Sequence, residues 1–284
     1  MVASSDGVHI ASYLLQGSGA EPPADSAPPE VLLAHANGFC AAVFAPLVDH
    51  LAGRSGVAFD ARAHGGSSGA GGRLDWHAHC DDLLAVHDRW GLERPLGIGH
   101  SMGGAALLLA EQRRPGTFRG LWLFEPIVFP PGLAPPEGGN PLEAGALRRR
   151  ATFESRGAAY SNYASKPPLD ELSAEALAAY VQFGFDEDPD GSVTLACAPE
   201  DEATGYRTGP HHGAWDGLDR VKCPVLVVRG APGAMPGPAD FAPAVADQLP
   251  DATLEDHPDL GHFGPLQAPE VAAESVLAFS SRLG

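Results

Sequence analysis

Lysine is almost missing from this chain. Only Lys166 and Lys222 occur in 284 residues, and Lys plus Arg number 18 against 36 Asp plus Glu. The formal net charge of −18 makes the chain a poor partner for a nucleic-acid backbone or an anionic membrane surface. Cysteine is scarce too. Cys40, Cys80, Cys197 and Cys223 form no C-x-x-C pair and lie far apart, which argues against a zinc knuckle and a dense disulfide framework. No apolar run approaches the ~18 residues of a membrane span. Residues 1–20 hold no Lys or Arg and no continuous apolar stretch, unlike a secretory signal. A soluble, cytoplasmic protein without a nucleic-acid or membrane partner is expected. What the chain has in plenty is glycine (35) and proline (27), with 44 % hydrophobic residues. That is an ordered, turn-rich composition, enough for one large domain or two small ones.

Short apolar runs alternate with longer amphipathic stretches. Runs at 31–34, 56–60, 96–99, 121–124, 224–228 and 252–255 are bounded by Gly, Pro and Asp, as strands buried on both faces would be. Stretches 75–90, 102–113, 238–249 and 269–280 have helical spacing. The pattern predicts an α/β fold, a mostly parallel sheet with helices on both faces. A further strand is expected near 8–15, followed by a Pro-rich surface loop at 18–30. Between 127 and 215 the alternation stops. Helices are expected there at 141–159 and 173–183, with most of the chain's tyrosines, and so long an insertion is too long for a loop. The division is therefore a core of 1–126 and 216–284 with a helical lid of 127–215.

The pentad Gly99-His100-Ser101-Met102-Gly103 fits G-x-S-x-G. In a chain this rich in glycine, chance yields about 0.25 such matches, and Gly65-Gly66-Ser67-Ser68-Gly69 also fits. Context separates them. Ser101 follows an apolar strand and precedes the helix former Ala105-Ala106-Leu107-Leu108-Leu109, the strand–turn–helix setting of a nucleophile elbow. Ser67 precedes Ala70-Gly71-Gly72, which starts no stable helix. A serine nucleophile needs a base and an orienting acid. Gly261-His262-Phe263 follows the last strand, and His262 is the candidate base, with His257 its nearest rival.

These segments, in this order, resemble the α/β-hydrolases over nearly the whole chain. The similarity rests on His35-Ala36-Asn37-Gly38-Phe39, on Asp60-Ala61-Arg62-Ala63-His64-Gly65-Gly66-Ser67, on the elbow and on the late histidine. The middle is similar to a lidded branch at 148–155 and 190–195. The family usually carries an Asp a few residues after the strand 225–228, but Gly233 stands there. A branch that includes some haloalkane dehalogenases carries a Glu after the preceding core strand instead, and Glu125 of Phe124-Glu125-Pro126 matches it. The resemblance thus implies a triad of Ser101, Glu125 and His262, with Asp240 and then Asp256 as alternative acids. It implies an oxyanion hole of the Asn37 and Met102 backbone N–H groups, to which the Asn37 side-chain amide is a possible addition. Phe39 (a fallback donor or a pocket wall) and His100 are assigned to substrate binding. Dehalogenation is not implied, because those enzymes attack with Asp and this elbow has Ser101.

Other polar residues are expected to be structural. His35, Asp60, Arg62 and His64 should shape their loops. In His77-Ala78-His79 with Asp81 and Asp82, only His77 and Asp81 share a helix face, too few for a metal. His211-His212 and Arg148-Arg149-Arg150 read as solvated. No phosphate-binding or dinucleotide glycine motif is present, and no cofactor is required. The expected function is a serine hydrolase acting on an ester or related acyl bond of a small to medium, partly apolar substrate. The alternatives are C–C bond hydrolysis or a lyase reaction on the same scaffold, or a ligand-binding protein without turnover.

Overall fold

The computed structural model describes residues 1–17, 29–69, 73–132, 139–233 and 236–283. Most of the Pro-rich loop at 18–30 lies outside them, as do Ala70, Gly71, Gly72, Ala234 and Met235. In chain order the strands are β1 (Val2–Ala3), β2 (His9–Ile10), β3 (Ser12–Gln16), β4 (Val31–Ala34), β5 (Ser55–Phe59), β6 (Leu96–His100), β7 (Gly120–Phe124), β8 (Thr152–Phe153), β9 (Phe185–Glu187), β10 (Val193–Leu195), β11 (Val225–Arg229) and β12 (Ala252–Asp256). The helices are α1 (Ala45–Asp49), α2 (Trp76–Trp90), α3 (Met102–Arg113), α4 (Pro141–Leu147), α5 (Arg156–Tyr163), α6 (Ala174–Phe183), α7 (Pro199–Thr208), α8 (Pro238–Gln248), α9 (Gly264–Gln267) and α10 (Pro269–Ser280).

Among the described residues the central sheet runs β12-β11-β7-β6-β4-β5-β3. All its neighbours are parallel except the edge strand β3 on β5. Every residue of β4, β6 and β7 is buried, because alternate side chains enter two different cores. Leu121 and Leu123 pack with Leu83 of α2, Leu107 of α3 and Val245 of α8. Trp122 and Phe124 pack with Leu47 of α1 and Phe279 of α10. This is the α/β-hydrolase fold, with helices on both faces of a mostly parallel sheet.

The topology gathers the ends that matter. Strand β5 leaves β4 on one side and β6 returns on the other, so the order reverses between β4 and β6. Ligand sites in such sheets form at the carboxyl ends of the strands flanking this reversal. The register aligns Ala34 with Gly99, His100 with Phe124 and Phe124 with Val228. The residues that follow β4, β6, β7 and β11 therefore emerge side by side.

The segment between β7 and β11 differs from the expected run of helices. The helix read over 141–159 is broken. α4 ends at Leu147 and α5 begins only after Ser155, whose side chain accepts from Ala158 N at the helix start. Between them Thr152 and Phe153 form β8, which pairs with β10 in a three-stranded antiparallel sheet of order β8-β10-β9. Gly145 and Gly157 weaken a continuous helix, and pairing with Val193 and Thr194 supplies the alternative. The segment's apolar residues, among them Phe153, Leu177, Tyr180 and Phe185, join the core on the α1/α10 face. All four cysteines are buried and free, and no described helix is long and apolar enough to cross a membrane.

Candidate active site

Ser101 sits between the last residue of β6 and the first of α3, with φ 56° and ψ −115°. A non-glycine residue rarely holds this conformation, and it stores strain. The surroundings enforce it. Ser101 N–H donates to Phe124 O at 3.0 Å, and Ser101 O accepts from Ile127 N at 3.2 Å. The glycine two residues on lets α3 come close: a Cβ at Gly103 would lie 2.0 Å from Ala34 O. No side chain caps α3, so its first N–H groups, Met102 foremost, have no helical acceptor and face the elbow region.

Glu125 follows β7 with φ 45° and is buried. Its Oε1 accepts from Gly230 N at 2.9 Å, and its Oε2 lies 2.6 Å from His262 Nδ1. His262 Nε2 is 3.2 Å from Ser101 Oγ. The three side chains thus form one chain of hydrogen bonds from carboxylate to hydroxyl. Gly230, in the loop where a relative would carry its Asp, holds the Glu125 carboxylate with a backbone amide instead. Asp240 is elsewhere: it is exposed, and its carboxylate accepts from Gly237 N at 2.8 Å to cap α8. Asp256 is tied to Arg229, and His257 to Glu255 at 2.7 Å.

The His262 loop is fixed from several sides. Gly261 N donates to Gln267 Oε1 at 2.8 Å, and Ala231 N donates to Leu260 O at 2.7 Å. His100, assigned to substrate binding, is 1 % exposed, and its Nε2 donates to His262 O at 2.7 Å. This ring's hydrogen bond is to the base's backbone, and the ring packs against Phe124 and Phe263. Burial keeps the His100 imidazole neutral, its pKa pushed well below the usual histidine value, with nearby His262 adding to the effect. Phe39 is buried between Tyr180 and Phe263, with ring centroids 5.1 and 5.5 Å away.

The loop after β4 narrows the choice of anion donors. Gly38 N donates to His64 Nε2 at 2.9 Å, and Phe39 N donates to Ala36 O at 3.2 Å. Phe39 therefore does not serve as the fallback donor. The Asn37 side chain is also engaged, since Nδ2 donates to Glu202 O at 2.8 Å. The Asn37 and Met102 backbone N–H groups remain as candidates.

Beneath this loop the histidines carry structure. His35 bonds Ala36 O at 2.7 Å through Nδ1 and accepts from Ala61 N at 3.0 Å. His64 bonds Arg62 O at 2.9 Å through Nδ1. Burial lowers both to about 4, which keeps them neutral and able to accept. Asp60 accepts from Ala41 N and Gly66 N, and burial raises its pKa despite these donors. Arg62 and Asp82 form a fully buried two-bond ion pair, at 2.7 Å for each bond. Asp81 is held by arginines. Among the described residues no three His, Cys, Asp or Glu side chains are grouped to hold a metal ion.

Two readings of the sequence need correction. His212, read as solvated, is buried; it donates to Ile127 O at 2.7 Å and stacks on Trp76 at 4.9 Å. Arg149, read as part of a charged surface, points into the inserted segment and pairs with buried Glu202 at 2.7 Å. Nothing local signals either: Ile127, Trp76 and Glu202 lie far away in sequence.

Comparison with known proteins agrees with the fold. The model of the alpha/beta hydrolase family matches residues 31–274. A non-heme chloroperoxidase of Streptomyces lividans is 26 % identical over 231 residues, covering 78 % of this chain and 80 % of the relative. The crystal structure of E-2-(acetamidomethylene)succinate hydrolase superposes with a TM-score of 0.78 at 21 % identity, covering 96 % of this chain and all of that one (100 %). The enol-lactonase of Burkholderia xenovorans LB400 superposes with a TM-score of 0.70 at 18 % identity, covering 99 % of each chain.

Proposed function

The chain belongs to the alpha/beta hydrolase family, and on that premise we propose that it is a serine hydrolase cleaving an ester or related acyl bond. The observation that carries this reading is the continuous contact Glu125–His262–Ser101, at 2.6 and 3.2 Å. Ser101 Oγ attacks the carbonyl carbon while His262 Nε2 takes its proton. Glu125 holds the imidazole with Nδ1–H towards itself and stabilises the imidazolium that forms. The N–H groups of Asn37 and Met102 receive the oxyanion. His262 then protonates the leaving group, and in the second half it activates water to release the acyl group from Ser101. The site's own side chains supply nucleophile, base and anion donors, so the reaction needs no cofactor.

The segment 127–215 is the lid of this site. Its residues Tyr180 and Glu202 contact Phe39 and Asn37, so it covers the loop after β4. The aromatic rings Phe39, Tyr180 and Phe263 suit a small to medium, partly apolar substrate. A panel of acyl esters of graded size tests the reading. Turnover by the wild type, lost in Ser101→Ala, supports it; equal turnover by both proteins overturns it.

A further inference from the structure

We propose that Arg149 is a positioning residue: by joining α6 to α7 it sets the oxyanion loop at residues 37–39. This inference rests on the serine-hydrolase reading above. Each residue of the loop is gripped by one of the two helices. Helix α7 takes Asn37 and Gly38. Glu202 O accepts from Asn37 Nδ2 at 2.8 Å, and the Glu202 carboxylate fills the space where Gly38 lacks a side chain, since a Cβ there would lie 2.7 Å from its Oε1. Gly205 packs on the Asn37 amide so closely that a Cβ on it would lie 2.5 Å from Oδ1. Helix α6 takes Phe39 through the ring of Tyr180, 5.1 Å away.

One guanidinium links the two grips. Arg149 Nη1 donates to Glu202 Oε2 at 2.7 Å, and Nη2 donates to the Tyr180 hydroxyl. Nε reaches the Tyr163 hydroxyl at 3.4 Å. The guanidinium carbon stands 5.3 and 5.6 Å from the Tyr163 and Tyr180 ring centroids. Its side chain is 17 % exposed and that of Glu202 8 %. The arginine charge is already met by Glu202, so this is a tie between helices and not an open anion site. Without Arg149 a buried carboxylate loses its cation. Glu202 then keeps the Tyr206 hydroxyl but has no cation, and drawing in water or a proton loosens the carboxylate that packs on Gly38. A planar fork with several donors suits the task, and a lysine ammonium can replace only the charge.

The test compares wild type, Arg149→Met and Arg149→Lys. The readouts are kcat and KM on an acyl ester, inhibition by a trifluoromethyl ketone that forms a tetrahedral oxyanion on serine, and amide hydrogen exchange at residues 37–39. Deleting one oxyanion donor outright costs roughly 10²–10³ in kcat. A displaced loop is expected to cost about ten- to a hundredfold. Arg149→Met should lower kcat and ketone affinity together by that factor, leave KM within about threefold, and speed exchange at 37–39. Arg149→Lys should recover part of the kcat. Unchanged kcat and ketone affinity in Arg149→Met, or a loss confined to KM, overturns the proposal. If Arg149→Met does not fold, Arg149→Met with Glu202→Gln removes the orphaned charge and carries the same test. If the wild type neither turns over esters nor binds the ketone, the hydrolase reading falls separately. Exchange at 37–39 then decides: faster exchange in the variant keeps the tie, and unchanged exchange removes it.

Discussion

The motif Gly-x-Ser-x-Gly occurs at residues 65–69 and at 99–103, and the fold treats the two serines oppositely. Ser101 is held at φ 56° on the switch between β6 and α3, with its hydroxyl facing His262. The Ser67 hydroxyl donates to Asp60 O at 2.6 Å and accepts from Ala11 N at 2.9 Å. One hydroxyl is offered to a base, and the other fills backbone valences between the first strands and the loop after β5. Three shared letters in a five-residue pattern carry no chemistry until a strand, a helix and a distant histidine surround them.

Substitutions widen or close this contrast, beginning with the largest effect. Ser101→Ala should lower kcat by about 10⁴-fold or more, with Ser67→Ala within about twofold of wild type; steady-state rates on one ester decide it. Loss in Ser67→Ala and retention in Ser101→Ala would reverse the assignment. Glu125→Gln comes next, with a fall of up to ~10⁴-fold in kcat, because the amide no longer selects the Nδ1–H tautomer of His262. Asp240→Asn should change kcat by less than about twofold, since that carboxylate caps α8. Equal losses in the two variants would mean that the 2.6 Å contact is not used.

The histidines that frame the Ser67 side bring a pH dependence of stability. His35 and His64 have folded values near 4, below the ordinary 6.5. A group depressed on folding contributes its stability above the unfolded value and loses it as pH falls towards the folded one. Stability should therefore drop between pH 6.5 and 4, on the order of 3 kcal/mol for each ring as an upper figure. Urea melts across that window measure it. His64→Gln, whose side-chain oxygen can still accept from Gly38 N, should show a shallower slope, and an unchanged slope would remove His64 from the account. The smallest effect is structural: Ser67→Ala should cost about 1 kcal/mol in the same melts, for two hydrogen bonds partly replaced by water.

Legibility in the sequence followed the range of the contacts. Strands β4 and β7 and helices α3 and α10 lie within a residue of their sequence-read positions, because burial on two faces or one leaves a local apolar period. Glu125 is legible because Gly233 occupies the position where the family usually carries its carboxylate, and in the structure the Gly230 amide holds the Glu125 carboxylate. What escaped has no local period. Strands β8, β9 and β10 are two or three residues long, too short for alternation to register. Arg149 reads as one of three surface arginines until Glu202 and Tyr180 are brought to it. His64 shows its part only when Gly38 N comes within 2.9 Å.

On the proposed mechanism His262 and Glu125 activate one serine of the two. Treating the folded wild type with a fluorophosphonate and mapping the adduct by peptide mass separates them. A single adduct on Ser101 is expected, absent in Ser101→Ala and strongly slowed in Glu125→Gln. An adduct on Ser67, or none on any serine of the folded wild type, would contradict it.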